Sequence, residues 1–283
     1  MGRRSAGSGE GEKEGVLSIV ATPIGNLGDM TQRAIETLKA ADLILAEDTR
    51  KTRVLLDHFG IKTRMVSAHE HNESRTIPLM IETLARKAGV AVVTDAGTPL
   101  ISDPGSRLVQ AARAAGYRVT PVPGASALTA ALSACGLDTT RFTFFGFIPR
   151  SGRERREAIA QITELEHTAV IYEAPSRVAD TLQSIVGGGE RRCVVARELT
   201  KLFEEFREGT VEELAAYYAE SPPRGEVVIL LSAAQPKPFN EDDLQNRVKV
   251  LREAGLSARD AASQVSSETG VPKNTLYRMA VKA

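Results

Sequence analysis

Apolar positions follow two alternating rhythms along most of the chain. Largely apolar runs occur at 16–21, 43–46, 90–94 and 119–122. Between them, at 31–41, 53–59, 77–88 and 106–115, apolar residues recur every three or four positions. The first pattern predicts strands covered on both faces. The second predicts helices that bury one stripe, with Ala34, Ile35 and Leu38 the stripe of the first. Gly60, Gly89 and Gly116 close three of these segments, where a left-handed residue ends a helix without steric cost. Strands alternating with helices predict a mostly parallel sheet over 16–124.

A second series fills 125–234. Helix is predicted at 127–133, 153–165, 176–185 and 211–219, and strand at 142–147, 169–172, 193–196 and 227–231, the first of these strands rich in Phe. The fold class is therefore α/β, with two lobes. After Gln235-Pro236-Lys237-Pro238, read as a linker, helices at 242–254, 257–269 and 272–280 stop at Gly255 and Gly270. They form either a helix-turn-helix-like tail or a helical cap on the second lobe. Residues 1–15 hold almost nothing apolar and predict a disordered tail. The expected domains are thus 1–15, 16–124, 125–234 and 235–283, with no internal repeat.

Composition changes this picture little. The 283 residues are 42% hydrophobic and 25% charged, enough for a buried core in each lobe, and with no Trp and five Tyr those cores are aliphatic. Thirty-six basic residues balance 36 acidic ones, which argues against bulk electrostatic capture of nucleic acid and leaves local patches to do any such work. Cys135 and Cys193 lie outside any paired spacing and read as buried thiols in a reducing compartment. No apolar stretch has the length of a membrane span, and the expected location is cytoplasmic.

Chemistry concentrates in loops after strands, where open α/β sheets bind ligands. Residues 21–29 (Ala21-Thr22-Pro23-Ile24-Gly25-Asn26-Leu27-Gly28-Asp29) lack the spacing of a phosphate-cradling loop. Residues 95–105 (Asp95-Ala96-Gly97-Thr98-Pro99-Leu100-Ile101-Ser102-Asp103-Pro104-Gly105) hold two Gly, two Pro and two Asp. Such a loop suits a zwitterionic, sugar-bearing, cationic ligand better than a polyphosphate. The third, 121–128, turns into a helix at Ser126, which also reads as a plain cap.

Together these loops resemble the tetrapyrrole methylase family, over residues 16–283. Further motifs resemble its ribosomal RNA small subunit methyltransferase I group: Ala46-Glu47-Asp48-Thr49-Arg50, His69-Glu70-His71-Asn72-Glu73, Tyr172-Glu173-Ala174-Pro175-Ser176-Arg177, Arg197-Glu198-Leu199-Thr200-Lys201 and Arg224-Gly225-Glu226. The resemblance implies S-adenosylmethionine bound between two lobes. It implies contacts from Pro23, Ala96, Gly97, Thr98, Ile101, Ser126, Ala127, Tyr172, Glu173 and Gly225. It also implies a homodimer that makes 2′-O-methylcytidine in small-subunit (16S) ribosomal RNA.

A ribose hydroxyl is a poor nucleophile, so a base that removes its proton during transfer helps. Acidic and basic residues specific to this group are the candidates: Glu47 or Asp48 beside the ribose, Arg50 and Lys201 on phosphate or oxyanion, and Glu198 nearby. Glu173 and Arg197 belong to the same set. The other reading is structural, with Arg197–Glu198 and Glu47–Arg50 as loop-fixing ion pairs. His69 and His71 have no evident third ligand and methyl transfer needs no metal, so no metal site is expected. Arg150, Arg153, Arg155 and Arg156, with Lys273 and Arg278 in the tail, are candidates for backbone phosphate. Two other functions share parts of the pattern. Methylation of a tetrapyrrole ring accounts for the ligand loops but not the charged motifs. A non-enzymatic nucleic-acid-binding regulator accounts only for the tail.

Overall fold

The computed structural model describes residues 15–69, 72–187, 190–234 and 240–282. The expected disordered segment, apart from Gly15, the expected linker, and Glu70 and His71 of the histidine motif lie outside them. The chain divides into two compact units on either side of the 234/235 junction.

The first unit opens with β1 (Val16–Val20), α1 (Gln32–Ala40), β2 (Leu43–Ala46), α2 (Thr49–His58), β3 (Met65–Ser67), α3 (Glu73–Ala85), β4 (Val90–Val93), α4 (Ser106–Ala114) and β5 (Arg118–Val122). All pairings are parallel, in the order β3-β2-β4-β1-β5. Every residue of β2 and β4 is buried. One face packs on α1 and α2 through Leu38, Ile44, Leu56 and Val93, and the other on α3 and α4 through Leu45, Met80, Leu84 and Leu108. Two-sided cover explains the unbroken apolar runs of β2 and β4. Both α2 and α3 begin four residues before the predicted starts at 53 and 77, because polar residues start them. Asp48 caps α2, and Glu73 opens α3, which tolerates Pro78.

The second lobe continues with α5 (Ala127–Ala134), β6 (Phe142–Phe147), α6 (Gly152–Glu164), β7 (Thr168–Glu173), α7 (Val178–Ile185), β8 (Arg192–Arg197), β9 (Glu205–Thr210), α8 (Val211–Glu220) and β10 (Val227–Leu231). Its sheet runs β6-β7-β10-β8-β9 and is mixed: β6 and β7 are parallel, the other pairs antiparallel. The sequence pattern does not predict β9. Its residues, Glu205-Phe206-Arg207-Glu208-Gly209-Thr210, are largely polar because it is an edge strand with none of them buried.

The second unit holds α9 (Glu241–Glu253), α10 (Ala258–Thr269) and α11 (Lys273–Lys282) around their own core of Leu244, Val248, Val265 and Leu276. Gly270 ends α10 in the left-handed region, as predicted.

Candidate active site

The three ligand loops are stitched into one surface. Thr22 and Gly97 exchange backbone hydrogen bonds of 2.9 and 3.0 Å, joining the loop after β1 to the loop after β4. Thr98 Oγ1 donates to the Ala125 carbonyl at 3.1 Å and brings in the loop after β5. The Gly105 N–H donates to the buried Glu73 carboxylate at 2.6 Å, so the last residue of the His69–Glu73 motif pins the far end of the 95–105 loop. Leu100, Ser102, Glu198 and Thr200 all have positive φ, and among the described residues Lys87 is the one other non-glycine that does. Backbone held this far from its preferred regions needs surrounding structure to over-determine it, and such residues cluster at ligand sites.

These loops wall a cavity of about 410 Å³ whose other side comes from the second lobe. Ile24, Ile101, Phe147, Leu199 and Val228 give it an apolar lining, and Glu47, Asp95, Asp103 and Glu226 place carboxylates on it. Apolar walls, exposed backbone groups and several carboxylates fit a cationic, sugar-bearing ligand. Of the residues expected to hold the methyl donor, Ala96, Gly97, Thr98, Ile101, Ser126, Ala127, Tyr172, Glu173 and Gly225 all line this cavity. Pro23 does not, although its neighbour Ile24 does.

Of the acidic and basic candidates, Glu47 and Glu173 are on the lining, and Asp48, Arg50, Arg197, Glu198 and Lys201 are not. The Glu47 carboxylate accepts from Thr94 Oγ1 at 2.6 Å and from the Asp95 N–H at 3.3 Å. Asp95 in turn accepts from the Asp48 N–H at 3.1 Å and pairs with Lys51 at 2.7 Å. Asp103 faces the same acidic corner, and its pKa is pushed up to about 6, first by burial and then by the negative charge of Glu47. The sequence reading did not select Asp103. The available signal was a second carboxylate in a loop already constrained by Gly and Pro.

Asp48 and Arg50 lie off the lining and pair with each other at 2.7 Å. The Asp48 carboxylate also accepts from the Arg50 N–H, capping α2, and these hydrogen bonds hold its pKa well below the usual carboxylate range. The Arg50 side chain is 90% exposed. The structural pair is thus Asp48–Arg50 rather than the alternative Glu47–Arg50.

Glu198 and Lys201 form the rim beside Gly225 and Glu226. Lys201 Nζ lies 2.8 Å from Glu198 and 3.1 Å from Glu226, and the Glu226 N–H donates to Glu198 at 3.1 Å. Burial pulls the Lys201 ammonium down, and its hydrogen bonds to both carboxylates more than offset that, so its pKa is raised. The bond from Lys201 lowers the pKa of Glu198. Two glycines permit this rim. A Cβ on Gly25 would overlap the Lys201 chain, and one on Gly225, whose φ is +82°, would overlap the Glu198 carboxylate. Arg197 pairs with Glu205 at 2.7 Å, not with Glu198.

Glu173 has no exposed side-chain surface. It accepts from Thr181 Oγ1 at 2.7 Å and the Ala174 N–H at 2.9 Å, and pairs with Arg177 at 3.2 Å. Arg177 also donates to the Ile148 carbonyl at 2.6 Å, locking the 172–177 corner onto the end of β6. Tyr172, with Phe144 and Phe147 edge-on to its ring at 4.8 and 5.6 Å, makes the aromatic wall.

The basic segment is divided. Arg150 and Arg156 are exposed, Arg153 pairs with Glu157, and Arg155 is largely buried against Asp180. Lys273 and Arg278 are exposed on α11. Among the described residues no group of His, Cys, Asp and Glu is arranged to hold a metal.

Comparison with known proteins gives the family. Residues 16–215 match the model described as Tetrapyrrole (Corrin/Porphyrin) Methylases, and residues 240–283 match the RsmI C-terminal HTH domain. Proteins named Ribosomal RNA small subunit methyltransferase I are close in sequence. The one from Synechocystis sp. is 44% identical over 95% of this chain and 98% of its own. That from Pseudomonas aeruginosa is 45% identical over 95% and 97%. Among solved structures, cobalt precorrin-4 methyltransferase aligns with a TM-score of 0.62 at 17% identity, covering 82% of this chain and all of its own. Diphthine synthase aligns with a TM-score of 0.62 at 17% identity, covering 84% and 95%. Those two likenesses concern the fold. The chain is a methyltransferase of the tetrapyrrole methylase family and belongs to its ribosomal RNA small subunit methyltransferase I group.

Proposed function

We propose that the protein transfers the methyl group of S-adenosylmethionine to the ribose 2′-oxygen of a cytidine in small-subunit ribosomal RNA, in the cytoplasm and as a homodimer. The observation that carries this reading is the cavity: the residues expected for the donor, Pro23 apart, converge on it together with a carboxylate cluster. When bound, the donor supplies a methyl group already activated by its sulfonium charge. The chain's part is to hold that group in line with the 2′-oxygen and to take away the hydroxyl proton.

Asp103 is the group we assign to the proton. Raised to about 6, its carboxylate is ionised at neutral pH and is more basic than an ordinary aspartate. Glu47, held by Thr94 and Asp95, supplies the neighbouring charge that raises Asp103 and can accept from the ribose. Lys201 and Glu198 shape the rim, and Asp48 orients Arg50 toward RNA phosphate. Arg150, Arg153 and Arg156, with Lys273 and Arg278 in the helical unit, supply further phosphate contacts. Arg155, engaged by Asp180, keeps the segment's shape.

The test is transfer from radiolabelled S-adenosylmethionine to small subunits from cells lacking this protein, to naked ribosomal RNA and to a reduced tetrapyrrole, followed by nucleoside digestion. Label in 2′-O-methylcytidine is expected. Label in the tetrapyrrole alone would overturn the RNA reading and leave the fold and donor in place.

A further inference from the structure

A second concave site lies at the open edge of the second sheet. It encloses about 220 Å³ and is lined by Arg197, Arg207, Arg224, Glu205, Tyr217 and Tyr218, among others. Three guanidiniums face one carboxylate there. Glu205 bridges Arg197 at 2.7 Å and Arg207 at 2.6 Å. One negative charge therefore holds two planar donors side by side, and each keeps N–H groups that Glu205 does not use. The Arg207 Nε is shielded from solvent and has no hydrogen-bond partner, while Arg224 is exposed and pairs with no carboxylate among the described residues. A buried donor without a partner is unfavourable unless a ligand supplies an acceptor.

The site also offers an aromatic surface. The Arg207 guanidinium sits 4.1 Å from the centroid of the Tyr217 ring, and Tyr217 is 41% exposed. Forked guanidiniums suit the paired oxygens of a phosphodiester, and a stacked Arg–Tyr plane suits a base unstacked from its neighbours. The site is joined to the rim of the donor cavity along the chain at two points. Arg224 directly precedes Gly225 and Glu226, which line that cavity, and Arg197 directly precedes Glu198 of its rim. These covalent neighbours put the cleft close to the rim by which an RNA strand would reach the cavity.

We propose that this cleft is a second RNA subsite, in which Arg197, Arg207 and Arg224 hold the phosphate of a nucleotide flanking the methylated one and Tyr217 supports its base. The proposal rests on the RNA reading above and adds the place where the strand is gripped.

The test uses Arg224→Ala and Arg224→Lys in the full chain, because Arg224 is exposed and holds no part of the fold. Methyl transfer to small subunits is measured over a range of salt, with S-adenosylmethionine binding measured by calorimetry. The Ala variant is expected to raise KM for the subunit about tenfold. It should leave kcat within about twofold and reduce the salt slope of binding by about one. Lys should recover part of the loss, since it keeps the charge without the fork. An unchanged KM and salt slope in the Ala variant would overturn the subsite. So would a fall in donor binding equal to the fall in activity, which assigns Arg224 to the donor cavity. Wild-type protein that labels no RNA would sink the underlying reading instead.

Discussion

The two sheets are built from similar parts and contribute differently to the site. The first is wholly parallel, and it gives the cavity the main chain of Ala96, Gly97 and Thr98, held in shape by the Thr22–Gly97 bridge and by Glu73, together with the carboxylates of Glu47, Asp95 and Asp103. The second is mixed, and its contribution is side-chain rich: the Tyr172 wall, the buried Glu173–Arg177 lock and the Glu198–Lys201–Glu226 rim. Loops at the carboxyl ends of parallel strands present main-chain groups that read a ligand's shape. The second lobe's charges are instead paired with one another, in the Glu173–Arg177 and Glu198–Lys201–Glu226 clusters. On this account both lobes hold the donor, and the first also brings the carboxylates Glu47 and Asp103 to the acceptor ribose.

The comparison is broken most severely at Gly225, the second-lobe position where backbone rather than side chain is required. Gly225→Val puts a branched side chain at φ +82° and into the Glu198 carboxylate. It should lower kcat/KM for methyl transfer by at least about a hundredfold through misplacement of the rim. Steady-state transfer assays and donor calorimetry read it.

Glu73→Ala tests the first lobe's backbone frame. It leaves the buried Gly105 N–H without its acceptor and should destabilise the protein by about 2 kcal/mol. Donor affinity should fall with it, because the 95–105 loop loses its anchor. Urea titration and calorimetry on the same samples measure both.

Asp103→Asn moves stability the other way. A carboxyl whose folded pKa is raised contributes stability below its unfolded pKa, and that contribution is lost as pH rises through about 6. At neutral pH the charged Asp103 therefore opposes folding. Asn should stabilise the protein by about 1 kcal/mol, a figure discounted for the solvent that reaches this half-exposed group. The gain should vanish below about pH 4. Thermal unfolding at two pH values separates this from a general packing effect.

The smallest effect belongs to Arg50→Ala. With its side chain 90% exposed and paired to Asp48, loss of Arg50 should raise KM for small subunits about threefold and leave kcat and donor affinity unchanged. A loss in kcat instead would move Arg50 to the reacting atoms.

Legibility in the sequence followed burial. β2 and β4 are readable because both faces are covered, so every residue is apolar. β9 is not, because an edge strand exposes polar residues that resemble a loop. The early starts of α2 and α3 escape a search for apolar stripes because their first turns are polar. The loops that wall the cavity were legible from Gly and Pro density and from the resemblance. Charge partners were not: only the folded chain shows that Arg197 meets Glu205, that Asp48 rather than Glu47 meets Arg50, and that Asp103 stands beside Glu47.

The central claim is that a cavity built by the two lobes carries a first-lobe carboxylate, Asp103, that takes the ribose proton. The most direct measurement is the pH dependence of single-turnover methyl transfer to small subunits, for wild type and Asp103→Asn. In wild type the rate should climb as pH rises through about 6 and then level off, since only the ionised carboxylate accepts a proton. In the variant that limb should vanish and the plateau should drop by about a hundredfold or more. The same limb and plateau in both proteins would contradict the account and remove Asp103 from the chemistry.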